Sequence, residues 1–335
     1  MTTTAEPVPD LVTIDDIRGA AERLRGIATR TPLIPFGAVP GRYLKAESLQ
    51  PIGAFKLRGA YVAVASLPPE ALRRGVITYS SGNHAQGVAR AARLLGAPSV
   101  VVMPSDAPAI KRERVAADGA QIVMVGNSSE ERREVAEAIA AERGLSIIPP
   151  YDDDRIIAGQ GTVGLELVED LPDLAAVLVP IGGGGLASGV ATAVRALRPD
   201  VRVIGVEPEL AADARDSMAA GEIVAWPAEL VSRTIADGTR TQALGPRTFA
   251  HLRAHLDSIV TVTEVEIAAA VRLAAERSRL VVEPSGALGV AAIAFRSAAL
   301  GLDRLGGSVV AVVSGGNVDP ESYREYLAAP VPPEG

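Results

Sequence analysis

Residues 175–194 read AAVLVPIGGGGLASGVATAV, an uncharged run. Its length suits a membrane span, but Pro180 and four consecutive glycines, Gly182, Gly183, Gly184 and Gly185, break it where a spanning helix must be continuous. It reads instead as a buried strand over 176–181, a glycine turn and a helix. A strand that is apolar on both faces belongs in a sheet covered by helices on both sides. The same rhythm extends outward. Apolar runs at 76–80, 99–103 and 121–125 precede Ala-rich helical stretches at 83–95, 109–117 and 130–143, and further apolar runs stand at 201–206 and 308–313. Strands alternating with helices in this way define an α/β chain with parallel sheets. Ahead of them, Thr13-x-x-Asp16 resembles a capping box opening a helix through Ile17, Ala20, Ala21 and Leu24, and a Pro-rich loop runs on to Arg42.

With 335 residues the chain is long enough for one large or two coupled cores, and two domains are the expectation. Its 33 Lys and Arg and 40 Asp and Glu are interspersed, with no basic run, which argues against a nucleic-acid or anionic-membrane partner and for a small molecule. The absence of cysteine excludes disulfides, thiolate nucleophiles and Cys-ligated metal centres. The N-terminus, MTTTAEPVPDLVTIDDIR, lacks a basic region followed by an apolar stretch, so it does not read as a signal peptide and a cytoplasmic location is expected. The tail over 328–335, AAPVPPEG, reads as frayed.

Ligands of parallel sheets bind outside the carboxyl ends of the strands, and the unusual residues fall in the loops there. Lysine is scarce: Lys45, Lys56 and Lys111 are the only three. Lys56 lies in ESLQPIGAFKLRGAY, where Pro51 and Gly53 make a loop and a helix starts after Ala54. The positive end of the helix dipole and desolvation both favour the neutral amine that attacks a carbonyl; a surface lysine snorkelling from a helix start is the plainer alternative. In TYSSGNHAQG, residues 78–87, Ser80, Ser81, Asn83 and His84 surround a helix N-terminus, suited to a carboxylate or to simple N-capping.

The four glycines suit a phosphate, because the backbone can wrap closely with its N–H groups turned inward. Gly182-x-Gly184-x-x-Ala187, with Glu207 at a strand end about 20 residues on, also satisfies the dinucleotide fingerprint, so an NAD-dependent oxidoreductase competes. Ser314, in VVSGGNVD, directly follows the last apolar run. In GVEPELAAD, Glu207 and Asp213 either cap the next helix or supply hard oxygens to Mg²⁺, Ca²⁺ or Mn²⁺. His251 and His255 have chelating spacing but no HExxH context and read as surface residues.

In this order the five segments closely resemble the fold-type II pyridoxal 5'-phosphate (PLP) enzymes, in the branch of serine/threonine dehydratases, serine racemase and 3-hydroxyaspartate dehydratase. The resemblance runs from about Ile17 to Tyr326. It implies two open, twisted, mainly parallel sheets flanked by helices, of the tryptophan synthase β type. It also implies a small mobile domain at 71–145 inserted into a large PLP-binding domain of 1–70 and 146–327, and a homodimer. By the same resemblance Lys56 forms the Schiff base with PLP, Phe55 flanks the cofactor, and Asn83 bonds its phenolic oxygen. Ser80, Ser81 and His84 would surround the substrate carboxylate. Gly182, Gly183, Gly184 and Gly185 would bind the phosphate, and Ser314 would meet the pyridine nitrogen. A divalent cation would sit on Glu207, the carbonyl of Ala211, and Asp213. The chain stops soon after the SGGN segment, so feedback through a regulatory C-terminal module is not expected. Ile52, Pro149, Thr241 and Gln242 depart from the common pattern and bear on the substrate side chain.

The implied activity is that of an ammonia-lyase converting a small β-hydroxy amino acid, L-threonine or L-serine, to a 2-oxo acid and ammonia. Lys56 would remove the Cα proton while PLP takes up the electrons. A neutral Ser314 leaves the ring a weaker electron sink than an aspartate would, which favours prompt elimination. Ser81, on the opposite face, would permit serine racemisation, and dehydration of 3-hydroxyaspartate stays open on the same scaffold.

Overall fold

Apolar runs become strands because helices cover them on both faces. The computed structural model describes residues 10–80, 82–105, 107, 109–126 and 129–334, without the side chains of Ile110 and Ser129. Its strands are β1 (Leu33–Pro35), β2 (Arg42–Ala46), β3 (Val76–Tyr79), β4 (Ser99–Pro104), β5 (Gln121–Val125), β6 (Ser146–Ile147), β7 (Leu174–Pro180), β8 (Arg202–Pro208), β9 (Ser258–Val262) and β10 (Ser308–Val313). They form a six-stranded sheet in the order β1-β2-β10-β7-β8-β9 and a four-stranded sheet in the order β5-β4-β3-β6. Every pairing is parallel except that of β1 with β2. The Pro-rich stretch before Arg42 is therefore not wholly loop, since it supplies the edge strand β1.

Strand β10 shows the packing that its composition requires. Val309, Ala311 and Val313 turn to one face with Leu178, Ile267, Leu288 and Ile293, while Val310 and Val312 turn to the other with Val177, Val179, Val190 and Val194. Each such buried Val, Leu or Ile stabilises the fold by about 1.5–3 kcal/mol, so the two central strands anchor the larger sheet. The helix Ile14–Arg23 opens on the capping box read from the sequence: Thr13 Oγ1 accepts from Asp16 N at 3.3 Å, and Asp16 accepts from Thr13 N at 2.8 Å.

His251 is a correction. It is buried, because Nδ1 donates to Arg247 O at 2.7 Å and Nε2 accepts from Val12 N at 2.9 Å, tying the N-terminal segment to the helix Pro246–His255. Past Leu327 the chain follows the helix Glu264–Ser278, with Arg272 donating to Ala329 O and Arg277 paired with Glu334. Among the described residues no helix is long and apolar enough to cross a membrane.

Strand register decides where the chemistry falls. Val313 pairs with Ala46, Ala311 with Leu178, and Pro180 with Val206, so β2, β10, β7 and β8 end along one edge and their following loops lie side by side. The loop after β2 is stitched to the loop after β10: Phe55 N donates to Ser314 O at 3.0 Å and Gly316 N to Gly53 O at 2.9 Å. The helix after β3, Asn83–Leu95, brings the smaller sheet to this edge by packing on the helix Lys56–Ala65. Gly87 permits the approach, for a Cβ there would stand 3.1 Å from Lys56 O.

Candidate active site

Lys56 is the first residue of its helix. Nζ donates to Pro150 O at 2.6 Å and stands 5.2 Å from the Phe55 ring centroid. No carboxylate among the described residues pairs with it. The side chain keeps some exposure, but the dense protein around the amine pushes its pKa down to about 8 by desolvation. His84, at the start of the helix packed on that of Lys56, is buried and donates from Nε2 to Ile148 O at 3.0 Å, which leaves Nδ1 as a buried acceptor without a partner. Burial first, and the Lys56 charge second, push its pKa down to about 3, so the imidazole is neutral.

The turn after β7 admits glycine for particular reasons. Gly184 has φ +91°, in the left-handed region, and caps the helix Gly185–Leu197. A Cβ on Gly183 would fall 2.2 Å from the Tyr151 ring, and one on Gly182 would fall 3.1 Å from Thr239 Cα. Tyr151 therefore walls the turn on one side, while the preceding carbonyl of Pro150 holds Lys56. A helix N-terminus reached through bare backbone is an anion site.

Asn83 and Ser314 complete the constellation. Asn83 Nδ2 donates to Glu283 Oε1 at 2.6 Å, and Asn83 Oδ1 accepts from Asn317 Nδ2 at 2.8 Å. Glu283 is buried against Gly315, where a Cβ would lie 2.3 Å from Oε1; burial, then the nearby Asp237, push its carboxyl up to about 7. Ser314 is buried, and among the described residues its hydroxyl makes one hydrogen bond, a long one of 3.4 Å to Ser285 O. Ser80 Oγ accepts from Gly82 N at 3.3 Å. Ser81 lies outside the described residues. Glu283, Asn317 and Tyr151 emerge only in three dimensions. Asn317 closes the SGGN segment and Tyr151 precedes an acidic run, but nothing around Glu283 in the sequence marks it.

At the end of β8, Glu207 accepts from Ala214 N at 3.0 Å and Arg215 N at 2.8 Å, capping the helix Asp213–Ala220. Each of its oxygens accepts one backbone hydrogen bond there and keeps a second lone pair. Asp213 is buried, and neither of its carboxylate oxygens has a hydrogen-bond partner among the described residues. Burial, then Asp216, push its carboxyl up to about 7; burial, then Asp213, push Glu207 well above the usual range. An orphaned buried carboxylate beside a second acid fits a hard cation. Among the described residues no three His, Cys, Asp or Glu side chains are grouped to hold an ion, so a cation here would also need carbonyl or water oxygens, such as that of Ala211.

The desolvated amine, the closely walled glycine turn, the Asn83 amide and the Ser314 hydroxyl fit PLP. The chain belongs to the family of pyridoxal-phosphate dependent enzymes, whose model matches residues 24–315. It is 42% identical to the L-threo-3-hydroxyaspartate ammonia-lyase of Saccharomyces cerevisiae over 94% of this chain and 96% of that one. It is 46% identical to the L-threonine ammonia-lyase of Geobacter sulfurreducens over 90% of this chain and 75% of that one. Maize serine racemase superposes with a TM-score of 0.89 at 37% identity, covering 95% of this chain and 98% of its own.

Proposed function

We propose that this chain is a PLP-dependent ammonia-lyase that converts L-threonine or L-serine to the 2-oxo acid and ammonia. The observation that carries the reading is the state of Lys56: an amine pushed down to about 8, facing no carboxylate, beside a glycine-lined helix N-terminus. The test is a panel of β-hydroxy amino acids scored for ammonia and 2-oxo acid, with Lys56→Ala as control. Turnover absent from the whole panel, or retained in Lys56→Ala, removes the proposal.

When bound, PLP supplies the electron sink for the pair left at Cα when its proton departs. Lys56 Nζ, close to half neutral near pH 8, takes that proton; an amine titrating near the working pH is effective in this role. Pro150 O holds Nζ in place before it acts. The N–H groups opening the helix Gly185–Leu197 would hold the phosphate, and Asn83 Nδ2 and the Ser314 hydroxyl would hold the ring. Phe55 covers one side of the amine. Ser80 and the helix N-terminus at Asn83 receive the substrate carboxylate, with neutral His84 as a buried support beneath them.

Two further activities belong to the same scaffold. Dehydration of 3-hydroxyaspartate is supported by the yeast relative and is read in the same panel. Serine racemisation is supported by the likeness to maize serine racemase, with Ser81 returning a proton to the opposite face of Cα. Formation of D-serine from L-serine, lost in Ser81→Ala, is the expected result. Glu207, Ala211 and Asp213 would hold a divalent cation that neutralises the two acids. A mobile smaller domain over 71–145, a homodimer and a cytoplasmic location complete the proposal, checked by hydrogen exchange, light scattering and cell fractionation.

A further inference from the structure

The helix Ala109–Ala117 belongs to the smaller sheet, yet it reaches the loop after β10. Arg114 Nη1 donates to Asn317 Oδ1 at 2.6 Å. An amide whose oxygen faces a guanidinium must turn its nitrogen elsewhere. Asn317 Nδ2 donates to Ile52 O and to Asn83 Oδ1, both at 2.8 Å. With its oxygen occupied, Asn83 turns Nδ2 to Glu283 at 2.6 Å. The four side chains form one directed chain from a cation through two amides to a carboxyl group, with each oxygen toward Arg114 and each N–H toward Glu283. Flipping either amide alone would set N–H against N–H or oxygen against oxygen. Asn83 Nδ2 carries two hydrogens, and Glu283 uses one.

We propose that Arg114 is a positioning residue which, acting through Asn317, holds the Asn83 amide so that its second N–H faces the cofactor. The inference rests on the reading that Asn83 contacts PLP. Glu283 is a poor candidate for the same task. Burial and Asp237 bring its titration to about 7, while Lys111, paired with Asp237 at 2.7 Å, opposes them. Once protonated, Glu283 can donate to a flipped Asn83 as readily as accept from the present one. A guanidinium donates and cannot accept, so Arg114 keeps the chain pointing one way.

The test uses holoenzyme with two readouts, the rate of PLP release after dilution and the visible absorption band of the bound cofactor across about pH 6 to 8. Asn83→Ala and Arg114→Met should each speed release about tenfold, the double variant should release no faster than Asn83→Ala, and Arg114→Lys should stay within about threefold of wild type. The band of Arg114→Met should move with pH as Glu283 titrates, while those of the wild type and Asn83→Ala should not. If Asn83→Ala alters release and Arg114→Met does not, or if the two effects multiply in the double variant, Arg114 acts only in packing and the inference falls. If Asn83→Ala itself changes neither readout, Asn83 does not contact the cofactor, and the placement fails together with the inference built on it.

Discussion

Lys45 and Lys56 lie close together in the chain and meet opposite surroundings. Lys45, in β2, is wholly buried and donates to Glu166 at 2.6 Å and to Thr31 O at 2.7 Å. Glu166 also accepts from Arg58 at 2.6 Å, and Arg58 forks onto Glu47 with two bonds of 2.8 Å. Burial alone would raise the Glu47 carboxyl, but Arg58 and Thr31 hold it below its usual range. Each charge in this cluster has a partner, so the cluster is closed. Lys56 has a carbonyl and an aromatic ring beside it but, among the described residues, no anion. Surroundings, and not residue type, make one lysine a structural ion and the other an available amine. Asp213 is the acidic counterpart of Lys56, buried without a partner where Glu166 has two.

The largest effect should come from removing the open lysine. Lys56→Ala should lower ammonia release by at least about a thousandfold, since base and cofactor anchor go together, while leaving the denaturation midpoint near that of the cofactor-free wild type. A variant that keeps a tenth of the activity would place the reacting amine elsewhere. Lys45→Met should do the reverse. Breaking a buried pair leaves Glu166 short of a cation and should cost about 3 kcal/mol in urea unfolding, with the PLP band unchanged in position. If the band shifts as well, the closed cluster is not independent of the cleft.

A cation should close what Asp213 leaves open. At a free Mg²⁺ concentration of about 100 times its Kd, thermal unfolding should shift upward by the equivalent of about 2.7 kcal/mol, and Asp213→Asn should abolish the shift. A gain that persists in the variant would assign the ion to another site.

How far this contrast can be read in the sequence depends on which contacts are local. β7 and β10 are legible because a run such as VLVP or VVAVV has no other stable environment, and the helices Asn83–Leu95 and Ala109–Ala117 are legible because Ala-rich stretches follow short turns. β2, with sequence RYLKA, hides because two charged side chains interrupt its apolar pattern, and both are satisfied from far along the chain: Arg42 by Asp303 and Lys45 by Glu166. Lys56 and the four glycines declare themselves through motifs, whereas Glu283 and Arg114 do not. Their roles depend on Asn83 and Asn317, which only the meeting of two sheets brings together. His251 reads as a surface residue for the same reason, since its partner Val12 is far away in the chain.

The smallest effect concerns the cost of keeping Lys56 open, and its sign follows from proton counting in the cofactor-free protein. The amine titrates near 8 when folded and near 10.5 when unfolded. Between those values the unfolded chain holds a proton that the folded chain has released, so stability should rise with pH through that window, by at most about 1.4 kcal/mol per pH unit. Below about 8 both states are protonated and the penalty of the enclosed charge is fully present. Because tyrosines titrate in the same range, the quantity to measure is the difference between wild type and Lys56→Met in urea unfolding from pH 7 to 10.5. That difference should narrow as pH rises. A constant difference would mean that water reaches the amine freely, and that desolvation does not distinguish Lys56 from an ordinary lysine.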